Sequence, residues 1–97
     1  MNPNDVVQIH VIIKGYVQGV GFRFFVLEKA NVLGIQGWVR NTISGQVEVL
    51  AEGTVEQINQ FLELIKQGPR QALVTDIEIE KNDPSGEFIG FSLRNTA

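Results

Sequence analysis

From Val6 to Lys14 the chain alternates, with Val7, Ile9, Val11 and Ile13 on one side and Gln8, His10, Ile12 and Lys14 on the other. That two-residue period predicts a half-buried strand. The alternation stops at Gly15-Tyr16-Val17-Gln18-Gly19-Val20-Gly21, a stretch too broken by glycine to continue a strand and too glycine-rich to begin a helix. At Phe22 the period changes. Phe22, Val26, Ala30 and Leu33 recur at helical spacing, and Gly34 stands where a left-handed C-terminal cap belongs. Residues 35–42 predict a second strand, Ser44-Gly45 a hairpin turn, and residues 46–52 a third strand with Val47, Val49 and Ala51 inward.

Thr54 and Gln57 have the spacing of a capping box, and Ile58, Phe61, Leu62 and Ile65 make the apolar stripe of the helix that would follow it until Gly68-Pro69. Residues 72–81 predict a fourth strand, with Leu73, Ile77 and Ile79 on one side and Asp76, Glu78 and Glu80 on the other. After the turn-forming Asn82-Asp83-Pro84-Ser85-Gly86, the alternating Ile89, Phe91 and Leu93 predict a short last strand. The order βαββαβ plus a terminal strand implies an α+β sandwich of the ferredoxin-like kind, a mostly antiparallel sheet covered on one face by two helices. This fold serves many functions and does not choose among them.

With 97 residues, 43% hydrophobic and 20% charged, one domain over 1–97 is expected, and disorder is not. No apolar run approaches the roughly 18 residues of a membrane span. Met1-Asn2-Pro3-Asn4-Asp5 has neither a basic region nor an apolar block after it, so a cytoplasmic location without membrane contact is expected. The absence of cysteine excludes disulfides, thiolate metal sites and cysteine nucleophiles, and a single histidine, His10, excludes a multi-histidine metal site. A net charge of −3 argues against a general nucleic-acid binder. Charge is nonetheless uneven: residues 1–47 carry four bases against two acids, and residues 48–97 four bases against nine acids. A small anion would be drawn to something the first half builds.

The candidate is Gly15 to Arg23, GYVQGVGFR, placed between a strand and a helix, although a glycine-rich stretch of this kind taken alone also reads as a plain turn followed by a solvent-exposed arginine. Its glycines allow successive backbone N–H groups to turn toward one point, and the helix start adds unpaired N–H groups and the positive end of its dipole. The candidate anion-binding residues are therefore Tyr16, Val17, Gln18, Gly19, Val20, Gly21, Phe22 and Arg23. A cation in the first turn of a helix costs about 0.3–1 kcal/mol, a penalty that an anion bound at Arg23 would reverse. A guanidinium can then grip two phosphate oxygens in parallel. Neither a Walker pattern nor a dinucleotide fingerprint fits, since Phe22-Arg23 follows Gly21 and Phe24 stands where a third glycine is needed.

VQGVGFR at 17–23, with Ala30, Leu33-Gly34, GWVRNT at 37–42 and SGQVEV at 44–49, resembles the acylphosphatase family. Gly68-Pro69, Ala72, Val74 and Phe91-Ser92-Leu93 extend the likeness over nearly the whole chain. The resemblance implies hydrolysis of the carboxyl–phosphate bond of small acyl phosphates on this same βαββαβ sandwich, with no metal and no cofactor. It gives Arg23 the role of holding the phosphoryl group and Asn41 that of positioning the attacking water, which would attack in line and pass its proton to a phosphate oxygen. Inorganic phosphate would be product and inhibitor, and a monomer is expected. Ser44 departs from the Asp that many relatives carry there, which concerns the turn and not the site.

Other residues receive quieter readings. His10 is taken as a sheet-surface residue, Trp38, Phe24 and Phe25 as core or its rim, and Glu48, Glu52, Glu78 and Glu80 as a solvated sheet face. Lys14 and Arg40 would lend at most a diffuse positive field. Two other functions are conceivable on this pattern: a non-catalytic module that senses an anionic metabolite, which would not need Asn41, and an RNA-binding sheet. The second fails on the acidic, aromatic-free strand at 46–52.

Overall fold

The computed structural model describes residues 2–97, so Met1 of the expected 1–97 domain lies outside the described residues. The elements run β1 (Val6–Tyr16), α1 (Phe22–Leu33), β2 (Gln36–Asn41), β3 (Val47–Thr54), α2 (Val55–Gln67), β4 (Leu73–Asn82) and β5 (Phe91–Leu93). The sheet order is β4-β1-β3-β2-β5. Three pairings are antiparallel, and only β5 joins parallel, on β2. Both helices pack on one face, as the ferredoxin-like expectation requires.

The core lies between that face and the helices. Ile9, Val11 and Ile13 of β1, Val47, Val49 and Ala51 of β3 and Val39 of β2 meet Phe22, Val26 and Ala30 of α1 and Ile58, Phe61 and Ile65 of α2. Gly34 ends α1 in the left-handed conformation (φ 73°), and the Ile35 N–H reaches back to the Ala30 carbonyl. The capping box of α2 forms in full: the Gln57 N–H donates to Thr54 Oγ1, and the Thr54 N–H to Gln57 Oε1. The same Gln57 side chain donates from Nε2 to the Leu33 carbonyl at 2.9 Å, so one residue starts α2 and satisfies the end of α1.

Three expectations fail, each for a physical reason. β1 does not stop at Lys14; it continues through Gly15 and Tyr16, because a bulge shifts the register there: Lys14 faces Asp76, but Gly15 faces Val74. Only glycine permits this, since φ is +128° and a Cβ would sit 2.1 Å from the Leu73 carbonyl oxygen. The slip skips Thr75 and exchanges the faces of β4 beyond it. Val74 therefore packs on the core, while Leu73 lies exposed opposite Tyr16. The third miss is Ile89, which precedes β5 and is fully exposed, leaving Phe91 and Leu93 to face the core. Ile79 does lie opposite Val11, yet on an edge strand it stays partly open to solvent. Among the described residues no helix is long and apolar enough to cross a membrane.

Candidate functional site

The left-handed Gly21 (φ 78°) serves as N-cap of α1 and offers no side chain to bond the first turn. The first intrahelical bond runs from the Phe25 N–H to the Gly21 carbonyl, so the N–H groups of Phe22, Arg23 and Phe24 have no partner within the helix. No acid occupies that turn. The helix end is thus electropositive through its amides and carries Arg23 besides.

A hollow of about 100 Å³ opens at this end, lined by Val17, Gly19, Gly21, Phe22, Arg23, Phe24 and Asn41. Asn41 reaches it through simple alternation. On β2, Gly37, Val39 and Asn41 share the face that pairs with Ala51, Val49 and Val47, the face on which the helices lie. Val39 is covered by them; Asn41, at the strand end, is half-buried beside the start of α1. Trp38 and Arg40 necessarily take the opposite face.

Arg23 is also half-buried, and among the described residues its guanidinium has no hydrogen-bond or ion-pair partner. The Asn41 carboxamide is likewise unbonded, although its backbone pairs with Val47 and its carbonyl accepts the Ala97 N–H. Two donors with nothing to donate to, in one small concavity ringed by amides, suit an oxyanion. Among the described residues no group of three or more His, Asp or Glu side chains is placed to hold a metal ion.

Not every candidate lines the hollow. Tyr16 belongs to β1 and is exposed, and Gln18 and Val20 are absent from the lining. Gln18 does something else: its Nε2 donates to the carbonyls of both Thr42 and Gln46 at 2.8 Å, tying the loop to the turn that follows Asn41. That contact spans 24 and 28 residues, and nothing local in the sequence announces it.

Lys14, Arg40 and His10 of the sheet are occupied. Lys14 bonds Glu78 at 2.7 Å, and this hydrogen bond and charge raise its pKa. Arg40 Nε donates to Glu48 Oε1 at 2.6 Å, while His10 Nε2 lies 2.6 Å from Oε2 of the same carboxylate. Burial pushes the Glu48 carboxyl up, but the bonds from His10 and Arg40 outweigh it and leave the pKa below its ordinary value. His10 is thus a sheet-face residue as expected, though paired.

Glu48 and Glu52 correct the picture of a uniformly solvated acidic face. Glu52 is 5% exposed and accepts from Gln8 Nε2, Ser85 N, Ser85 Oγ and Gly86 N, because the loop after β4 folds over it. Burial raises its pKa, and these four donors more than reverse the effect. A wider recess of about 440 Å³ beside Glu52 therefore presents a carboxylate already satisfied. Of the aromatics, Trp38 is buried on the open face beneath the guanidinia of Arg40 and Arg94, 4.8 and 4.7 Å from its ring. Phe25 packs edge-on to Phe22, but Phe24 is 61% exposed and contributes nothing to the core, contrary to expectation.

A family model described as Acylphosphatase matches residues 9–93. The chain is similar to an acylphosphatase of Moorella thermoacetica, 43% identical over 86% of this chain and 89% of the relative, and to one of Caldivirga maquilingensis, 43% identical over 91% and 94%. Its fold resembles the crystal structure of acylphosphatase from Bacillus subtilis, with a TM-score of 0.88 and 39% identity over 91% of this chain and 98% of that one. It also resembles a small part of full-length HypF, with a TM-score of 0.86 and 29% identity over 95% of this chain and 12% of the larger one.

Proposed function

The chain belongs to the acylphosphatase family and is an enzyme that hydrolyses the carboxyl–phosphate bond of acyl phosphates; on that premise we propose that Arg23 and the loop amides hold the phosphoryl group while Asn41 orients the attacking water. The observation that carries this reading is the pair of unpartnered donors, Arg23 and Asn41, lining one hollow at the start of α1.

Bound there, the phosphoryl oxygens receive the N–H groups of the Gly19–Gly21 loop and the first turn, together with two parallel bonds from the guanidinium. The Asn41 carboxamide holds a water behind phosphorus. The water oxygen attacks in line, the bond from phosphorus to the acyl oxygen breaks, and the carboxylate departs with the electron pair. The water's proton passes to a phosphoryl oxygen, giving carboxylate and inorganic phosphate. A carboxylate is a good leaving group, so the reaction needs positioning and charge stabilisation more than an acid. Two charge-assisted bonds at about 1.5–3 kcal/mol each correspond to about 10²–10⁴ in rate when expressed in the transition state.

Tyr16, Val17, Gln18 and Val20 belong to the same phosphate-binding loop in this reading, and the Gln18 side chain also holds it in shape. The protein acts as a cytoplasmic monomer, one domain over 1–97, without metal or cofactor, and inorganic phosphate inhibits as product. The test is hydrolysis of benzoyl phosphate in excess chelator, with and without added phosphate. Turnover that phosphate suppresses competitively is expected; activity that appears only on adding magnesium or zinc would overturn the donor-only mechanism.

A further inference from the structure

Resting on the phosphoryl site just proposed, we propose that the exposed ring of Phe24 is the surface against which the acyl group lies, so that this enzyme favours acyl phosphates with aromatic or bulky apolar acyl groups over acetyl phosphate. The hollow is about 100 Å³, room for a phosphoryl group and its water but not for an acyl body as well. The acyl portion is covalently joined to the phosphoryl group and must leave through the opening, against whatever forms the rim.

Of the three large apolar residues in the lining, Val17 and Phe22 are buried at 1% and 2% exposure and belong to the core, whereas Phe24 is 61% exposed. Helical side chains tilt toward the N-terminus of their helix, so a ring at the third position of α1 leans to the end where the hollow opens. A phenyl ring left in water here stabilises neither the helix nor the core. Covered by an apolar acyl group, it gains an aromatic contact that acetyl is too small to make. Arg23 next to it fixes the phosphoryl end, so the acyl end is presented to Phe24 in a fixed direction.

The experiment compares benzoyl phosphate with acetyl phosphate on the wild-type chain, Phe24→Ala and Phe24→Leu, reading kcat/KM for each and inhibition by inorganic phosphate. The ratio of benzoyl to acetyl kcat/KM is expected to fall three- to tenfold in Phe24→Ala, about 0.7–1.4 kcal/mol, and less in Phe24→Leu. An unchanged ratio overturns the inference while leaving the phosphoryl site standing. A parallel loss for both substrates together with lost phosphate inhibition also overturns it, since the ring would then be supporting the loop. A wild-type chain that hydrolyses neither substrate would instead remove the reading of the phosphoryl site itself.

Discussion

Gln18 Nε2 lies 2.8 Å from the carbonyl oxygen of Thr42, the residue directly after Asn41. The same amide holds the Gln46 carbonyl at 2.8 Å, and the Thr42 N–H in turn donates to that carbonyl at 2.9 Å. One side chain from the loop between β1 and α1 therefore fixes both ends of the hairpin turn beyond β2, and with it the distance between the loop and Asn41. Gln18→Leu removes the donor at similar volume. Each carbonyl keeps one backbone partner, so the stability loss is expected to be about 1–2 kcal/mol, or a Tm lower by roughly 4–12 °C. The kcat for benzoyl phosphate should fall about tenfold with less change in phosphate inhibition, because the anion loop persists while the water-holding group drifts. An unaltered kcat would show that the two halves of the site need no such tie.

Arg23→Ala separates function from stability. Activity should fall by about 10²–10⁴ and phosphate should no longer inhibit. The folded state, relieved of an unpaired cation at a helix N-terminus, should gain about 0.3–1 kcal/mol without ligand. Chemical denaturation with and without phosphate reads both effects: wild type is stabilised by phosphate, and the variant is not.

Asn41→Ala should leave phosphate inhibition in place and lower kcat by about 10²–10³, the usual cost of losing one positioned donor. Near-normal hydrolysis of benzoyl phosphate by this variant would remove the water-orienting role from Asn41.

Glu52 and Glu48 make acid sensitivity a property of the sheet. Both carboxyls have pKa values below the ordinary 4.5 because their hydrogen bonds outweigh burial. A carboxyl whose pKa is lower folded than unfolded adds stability above the unfolded value, and loses it as pH falls through the folded one. Thermal stability should therefore be flat near neutrality and decline from about pH 4.5 downward. Glu52→Gln, which leaves the Ser85 and Gly86 donors facing a neutral amide, should cost about 1–3 kcal/mol at pH 7, and the gap to wild type should close as the pH is lowered. A gap independent of pH would mean that the charge on Glu52 is immaterial.

Much of the frame was legible because its signals are local. The Thr54–Gln57 capping box, the Gly34 cap and the alternation of β1 each depend on residues within one or two turns of chain. The failures are non-local. Nothing around Leu73 and Val74 reveals which faces the core; that is decided by a bulge at Thr75, which depends on the close approach allowed by Gly15 on the partner strand nearly sixty positions earlier. Glycine spacing and the anomaly of a cation in a first turn single out residues 15–23 in the sequence, and the structure brings part of that stretch together with Asn41 around one hollow. Asn41 was reached only through family resemblance, because its place beside α1 requires both the parity of β2 and the sheet order. Gln18 is named in the sequence only as a candidate for anion binding; its tie to the turn stays hidden there, since its side chain acts on carbonyls far along the chain. Glu52 looked solvated because the loop that covers it carries no apolar signal.

Trp38 is the only tryptophan in the sequence, and it is held almost out of solvent between two guanidinia on the sheet face turned away from Arg23 and Asn41. The molecule thus carries a single indole, selectively excitable at the red edge of protein absorption and facing away from the proposed site. Its emission is expected to follow the release of Arg40 and Arg94 as the sheet comes apart, and to stay constant if phosphate binds at the proposed site on the opposite side. Unfolding curves recorded from it therefore measure the scaffold alone, with any ligand effect entering through the midpoint and not through the baseline.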